Sequence, residues 1–90
     1  MYQLQYTNKF KKDVKRVTKR GYDISLLEKT IELLQTTGKL PSNYKPHLLS
    51  GDYAGCWECR IKPDWLLVWQ QNDTELTLLF TNTGTHSDLF

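Results

Sequence analysis

The sequence predicts one α+β domain over residues 1–90: an N-terminal strand, a two-helix hairpin and an antiparallel β-meander, with the helices packed on one face of the sheet. Three observations carry this. Ninety residues are enough for one small core and too few for two. Two apolar stripes at helical spacing follow each other between Phe10 and Leu34. After Pro41, strand-like apolar runs alternate with short turns built on Gly, Pro, Asn and Asp.

Tyr2, Leu4 and Tyr6 alternate with Gln3 and Gln5, the period of a strand with one buried face. Thr7 and Asn8 offer N-caps for a first helix. Phe10, Val14 and Val17 form its apolar stripe, its other faces are almost wholly basic, and Gly21 stops it. Asp23 or Ser25 caps a second helix, and Ser25 with Glu28 fits a capping box. Ile24, Leu27, Ile31 and Leu34 make its stripe, and Gly38 and Pro41 end it. Such a hairpin needs an apolar surface to lie on.

The rest of the chain supplies that surface. His47-Leu48-Leu49 is a short run before a Ser50-Gly51-Asp52 turn. Residues 53–62 read as a long strand, 65–70 as the next and 75–82 as the last. Pro63-Asp64 and Gln71-Asn72-Asp73 are the turns between them. On the long strand Glu58, Arg60 and Lys62 share one face, while Trp57, Cys59 and Ile61 share the other. The charged set is expected on the open face, the apolar set under the helices.

Composition bounds the function. Apolar residues are 39% and charged residues 24%, an ordinary globular balance. No apolar run reaches 18 residues, so no membrane partner is expected. The N-terminus lacks a basic-then-apolar signal pattern, which points to the cytoplasm. Cys56 and Cys59 form a lone C-x-x-C; no second pair completes a zinc site, and strand geometry turns the two apart. They read as buried thiols, and no metal or cofactor is expected. Net charge is only +2, yet residues 1–20 hold seven Lys or Arg (Lys9, Lys11, Lys12, Lys15, Arg16, Lys19 and Arg20) against Asp13 alone. Such a concentrated positive field draws polyanions.

Arginine, histidine and carboxylate on one surface suit phosphodiester chemistry. Imidazole moves protons near neutral pH. Arginine holds phosphoryl oxygens bidentately. An aromatic ring stacks on a splayed base, and RNA brings its own nucleophile in the 2′-OH. Each residue alone also has a plain reading: a surface histidine, a solvated strand face, tryptophans in the core. The residues by themselves reach a small α+β domain with RNA-binding character.

Three motifs go further: Tyr44-Lys45-Pro46-His47-x-Leu49-x-Gly51, the turn Lys62-Pro63-Asp64-Trp65-Leu66-Leu67-Val68, and the tail Thr83-Gly84-Thr85-His86-Ser87-Asp88-Leu89-Phe90. Together they strongly resemble the YafQ-like branch of the RelE/ParE toxin superfamily, along the whole chain. The resemblance implies a RelE-like fold and a toxin of a type II toxin–antitoxin pair. It implies metal-independent cleavage of mRNA in the ribosomal A site, silencing by an antitoxin protein, and a higher-order toxin–antitoxin complex. Carried over by position, the catalytic set is His47, Asp64, His86 and Phe90, with Glu58 where relatives have an acidic residue. His86 is then the main proton-transfer group, and Phe90 positions a base or the histidine. The type member has a histidine where this chain has Arg60. Many relatives have an arginine where this chain has Asn82. Arg60 is therefore expected to supply the phosphate-holding charge. The basic residues of the first helix, with Lys62 and Trp65, are the expected contacts to mRNA and ribosomal RNA. The alternatives are a ParE-like toxin that blocks DNA gyrase by binding, and a stand-alone RNA-binding module.

Overall fold

The structure, a computed structural model, describes residues 1–90. Strand β1 (Gln3–Tyr6) leads into helices α1 (Asn8–Lys19) and α2 (Ile24–Thr37). Strands β2 (His47–Leu48), β3 (Trp57–Lys62), β4 (Trp65–Asn72) and β5 (Thr77–Gly84) follow, and the one-turn helix α3 (His86–Leu89) closes the fold. The sheet order is β1-β5-β4-β3-β2. The meander is antiparallel as expected, but β1 runs parallel to β5, so the sheet is mixed.

Local chemistry sets the boundaries. Thr7 caps α1 by accepting the Phe10 N–H at 3.0 Å. Asp23 caps α2; Ser25 lies inside the helix and donates to Asp23, so the expected Ser25–Glu28 box does not form. Gly38 ends α2 at φ +70, where a Cβ would stand 2.5 Å from the Tyr2 hydroxyl oxygen. The expected long strand is shorter than residues 53–62. Gly51–Tyr53 forms a 3-10 turn, Gly55 sits at φ +90, and extended backbone resumes only at Trp57. The last strand starts later than expected. The Asn72 side chain accepts the N–H groups of Thr74 and Glu75, and Leu76 at φ +54 completes that turn.

The helices cover one face of the sheet. Phe10 and Val17 of α1 and Leu27 and Leu34 of α2 pack on Cys59, Leu67, Trp69 and Phe80. Trp57 and Ile61 join this core from its edge, so the apolar side of β3 faces as expected. Burial in it pushes the Cys59 thiol up to about 12, with the Glu58 charge adding to the rise. The opposite face is not fully open. A smaller core of Cys56, Leu66, Val68 and Leu89 fills its centre. The two cysteines therefore belong to different cores, each buried as a free thiol.

Two bulges re-aim side chains. Val68 pairs with Asn82 while Trp69 pairs with Phe80, so Thr81 is an extra residue in β5. The bulge reverses the alternation: Phe80 faces the helices, and Asn82 faces the other side with Val68. Thr83 then enters the interior, fully buried. A second slip between Arg60 and Lys62 sets Lys62 opposite Trp65. This corrects the expectation that Lys62 continues the line of Glu58 and Arg60.

Candidate active site

The face away from α1 and α2 carries the polar residues. One row across the sheet reads His47, Glu58, Val68, Asn82. The next reads Arg60, Leu66, Gly84. The β3–β4 turn brings Asp64 to His86, and α3 packs through Leu89 on Leu66 and Val68 of this face.

His86 is fixed by one carboxylate oxygen. Asp64 Oδ1 accepts both the His86 backbone N–H, at 3.0 Å, and the ring Nδ1, at 2.6 Å. An ionised carboxylate only accepts, so Nδ1 carries the proton and Nε2 is left to take or give one. The backbone bond, then the ring bond, holds the Asp64 carboxyl below the usual carboxylate range. Both groups are exposed, Asp64 by 66%.

His47 makes a second pairing. Its Nδ1 lies 2.9 Å from the Lys45 carbonyl oxygen, which makes Nδ1 the donor. Its Nε2 stands 3.3 Å from Glu58 Oε1. Here the carboxylate is buried, 7% exposed, and its Oε2 has no hydrogen-bond partner. Two residues along β3, the Arg60 Nε is also buried and unpartnered. One unpartnered acceptor and one unpartnered donor thus sit buried on the same strand.

Phe90 is 62% exposed, its ring set edge-on against Tyr53 at 5.2 Å. The Tyr53 hydroxyl donates to the Leu89 carbonyl at 3.1 Å. Tyr53 is a site residue that the sequence did not reveal, because the contact spans 36 positions and no motif marks it.

The structure therefore pairs His47 with Glu58, two residues along β3 from Arg60, pairs His86 with Asp64, exposes Phe90 beside Tyr53, and leaves Trp65 out. Trp65 is 3% exposed, packs edge-on against Tyr22 and donates from Nε1 to Thr83 Oγ1 at 2.9 Å. It is a core residue, and the expected RNA contact is corrected accordingly. Lys62 is exposed. The basic helix splits in two. Lys9 and Arg16 bind Asp13, and Arg16 and Arg20 reach Asp88. Lys11, Lys12, Lys15 and Lys19 stay exposed, with no ion pair. Asp13 is fully buried and also accepts the Thr83 N–H at 3.2 Å. Its place in phase with Phe10 and Val17 was the signal that it faces inward.

No group of three or more His, Cys, Asp or Glu side chains gathers to hold a metal ion. No helix is long and apolar enough to cross a membrane.

Known proteins share this fold. The family described as bacterial toxin of type II toxin–antitoxin system, YafQ, matches residues 2–90. The chain is 38% identical over 88 residues to the mRNA interferase toxin YafQ of Escherichia coli K12, covering 97% of this chain and 94% of that protein. A chain of the E. coli DinJ–YafQ complex superposes with a TM-score of 0.88 at 35% identity, over 100% of this chain and 99% of that one. A metal-bound toxin from Helicobacter pylori superposes with a TM-score of 0.90 at 41% identity, over the whole of both chains. This chain, with its histidine–carboxylate tail on an α+β sheet, belongs to the YafQ family of bacterial type II toxin–antitoxin toxins.

Proposed function

We propose that this protein is a ribosome-dependent endoribonuclease toxin that cuts mRNA in the ribosomal A site, needs no metal, acts in the cytoplasm and is silenced by an antitoxin protein. The observation that carries the reading is the His86–Asp64 pair, which fixes one imidazole nitrogen and frees the other.

The chemistry follows from the donors and acceptors present. A base takes the proton of a ribose 2′-OH, and O2′ attacks the adjacent phosphorus. The bond from phosphorus to the 5′-oxygen breaks, and that oxygen takes a proton. The products are a 2′,3′-cyclic phosphate and a 5′-hydroxyl. His86 Nε2 moves a proton at the reacting oxygens. Arg60 meets the phosphoryl oxygens as charge grows on them. Phe90 stacks on a base. His47 and Glu58 hold the ribose or pass the second proton. The nucleophile is the substrate's own O2′, so no metal-activated water is required. Lys11, Lys12, Lys15 and Lys19 form the exposed stripe for ribosomal RNA.

The test is cleavage of mRNA on translating ribosomes kept intact with polyamines, with EDTA present. Cleavage that persists supports the reading. Activity that returns only with zinc or manganese overturns its metal-free part. Inhibition of gyrase with intact mRNA, or RNA binding without cleavage, overturns the class.

A further inference from the structure

The tail that carries His86 and Phe90 is one helical turn, too short to stand alone in water. What holds it lies in α1. Arg20 grips Asp88 with both arms of its guanidinium, Nη1 to Oδ2 at 2.6 Å and Nη2 to Oδ1 at 3.0 Å. The same Asp88 closes the capping box of α3 by accepting the Thr85 N–H at 2.9 Å. Arg16, one helical turn before Arg20, stands 3.6 Å from Asp88 and 3.0 Å from the buried Asp13. Asp13 in turn accepts the N–H of Thr83 in β5. Gly84 leaves room for this: at φ +151, a Cβ there would stand 2.7 Å from Asp88 Oδ2.

We infer that Arg20 is a positioning residue for the reaction, which through its two-armed pair with Asp88 holds the α3 tail so that His86 stays on Asp64 and Phe90 on Tyr53. The inference rests on the reaction proposed above and changes the role read from sequence, where Arg20 counted among the RNA contacts. A guanidinium whose fork is filled by an internal carboxylate has little left for a phosphate. The pair is part-exposed, and pairs of that kind add little to global stability. Its effect is local: a reacting group displaced by about 1 Å can cost on the order of 10²-fold in rate.

The test compares Arg20→Ala, Arg20→Lys, Asp88→Asn and the double variant Arg20→Ala/Asp88→Asn in single-turnover cleavage of ribosome-bound mRNA, with melting temperature as a check on folding. Asparagine keeps an acceptor for the cap and loses the charge. Arg20→Ala should lower the maximal rate about 10- to 100-fold with little change in half-saturation or salt slope. Arg20→Lys should recover part. The double variant should be no slower than Asp88→Asn alone. A raised half-saturation, a shallower salt slope and a loss that adds to that of Asp88→Asn would mean a direct RNA contact and overturn the inference. A second readout does not depend on cleavage: NMR order parameters of residues 85–90 should fall from the rigid range, about 0.85, toward 0.6 in Arg20→Ala. An unchanged, ordered tail refutes positioning. If the wild type cuts no mRNA, the proposed reaction fails while the order parameters still decide the role of Arg20.

Discussion

The two histidine–carboxylate pairs differ in where the charge is kept. Asp64 is exposed and spends one oxygen on both the backbone and the ring of His86. Glu58 is buried, faces His47 with one oxygen and leaves the other without a partner. The first pair is complete and leaves Nε2 free. The second is incomplete, with a buried acceptor whose desolvation is offset only when something donates to it. Under the proposed reaction the first pair is the proton carrier and the second the ribose holder.

Removing the first pair should cost most. His86→Gln is expected to slow single-turnover cleavage by about 10²–10⁴-fold with a nearly unchanged melting temperature. A folded variant cutting at the wild-type rate would reduce His86 to a helix residue and erase the contrast. Arg60→Ala should come next, at roughly 10²–10³-fold, the loss of one preorganised donor to transition-state charge. The bulge at Thr81 turns Asn82 onto the same face, so adding Asn82→Arg to Arg60→Ala should restore part of that rate. A silent Arg60→Ala would mean that the phosphate is held elsewhere.

The ligand-holding pair should show a smaller effect of a different kind. Glu58→Gln is expected to weaken half-saturation by about 10-fold, the order of one charge-assisted hydrogen bond, with little change in maximal rate. A loss confined to the maximal rate would make Glu58 a proton-transfer group and join the two pairs into one mechanism.

The smallest effect concerns acid. Asp64 is held low by His86, and Asp88 well below the usual range, first by Arg20 and then by the Thr85 N–H. The folded state therefore binds fewer protons than the unfolded state in this region. The stability these carboxylates add is present above a pH of about 4 and is lost as pH falls through their lowered values. Asp64→Asn and Asp88→Asn should each flatten the acid limb of urea midpoints below about pH 4. A wild-type slope in both would place the acid sensitivity in other carboxylates.

Much of this fold was legible because it follows from period. The Phe10–Val17 and Ile24–Leu34 stripes each specify a helix, and Pro63-Asp64 specifies the turn that carries Asp64. The shared face of Glu58 and Arg60 followed from strand alternation, and His47 stood out in the Tyr44-to-Gly51 motif. What stayed hidden depends on departures from period. The Thr81 bulge cannot be counted from alternation, and it decides which way Asn82 and Thr83 face. Gly55 reads as one glycine among several, yet its left-handed backbone shortens β3. Trp65 looked available beside a polar turn and instead fills the core against Tyr22. The basic helix misled because charge counting ignores partners, and Asp88, 68 positions beyond Arg20, is invisible from α1.

The parallel pairing of β1 with β5 also has a temporal side. Gln3 to Tyr6 can find Thr77 to Phe80 only after all the residues between them have been made. At elongation rates of about 5–20 residues per second, β1 waits for several seconds with no strand to pair with. The edge of the sheet, the bed for α1 and the tail with His86 all arrive together and late. A nascent copy therefore lacks its completed sheet edge and its seated tail until β5 has emerged. Arrest-peptide force profiles should show no strong folding signal until residues through Gly84 have cleared the exit tunnel, and an earlier peak would mean that the helices and the first meander strands form a stable unit without β5.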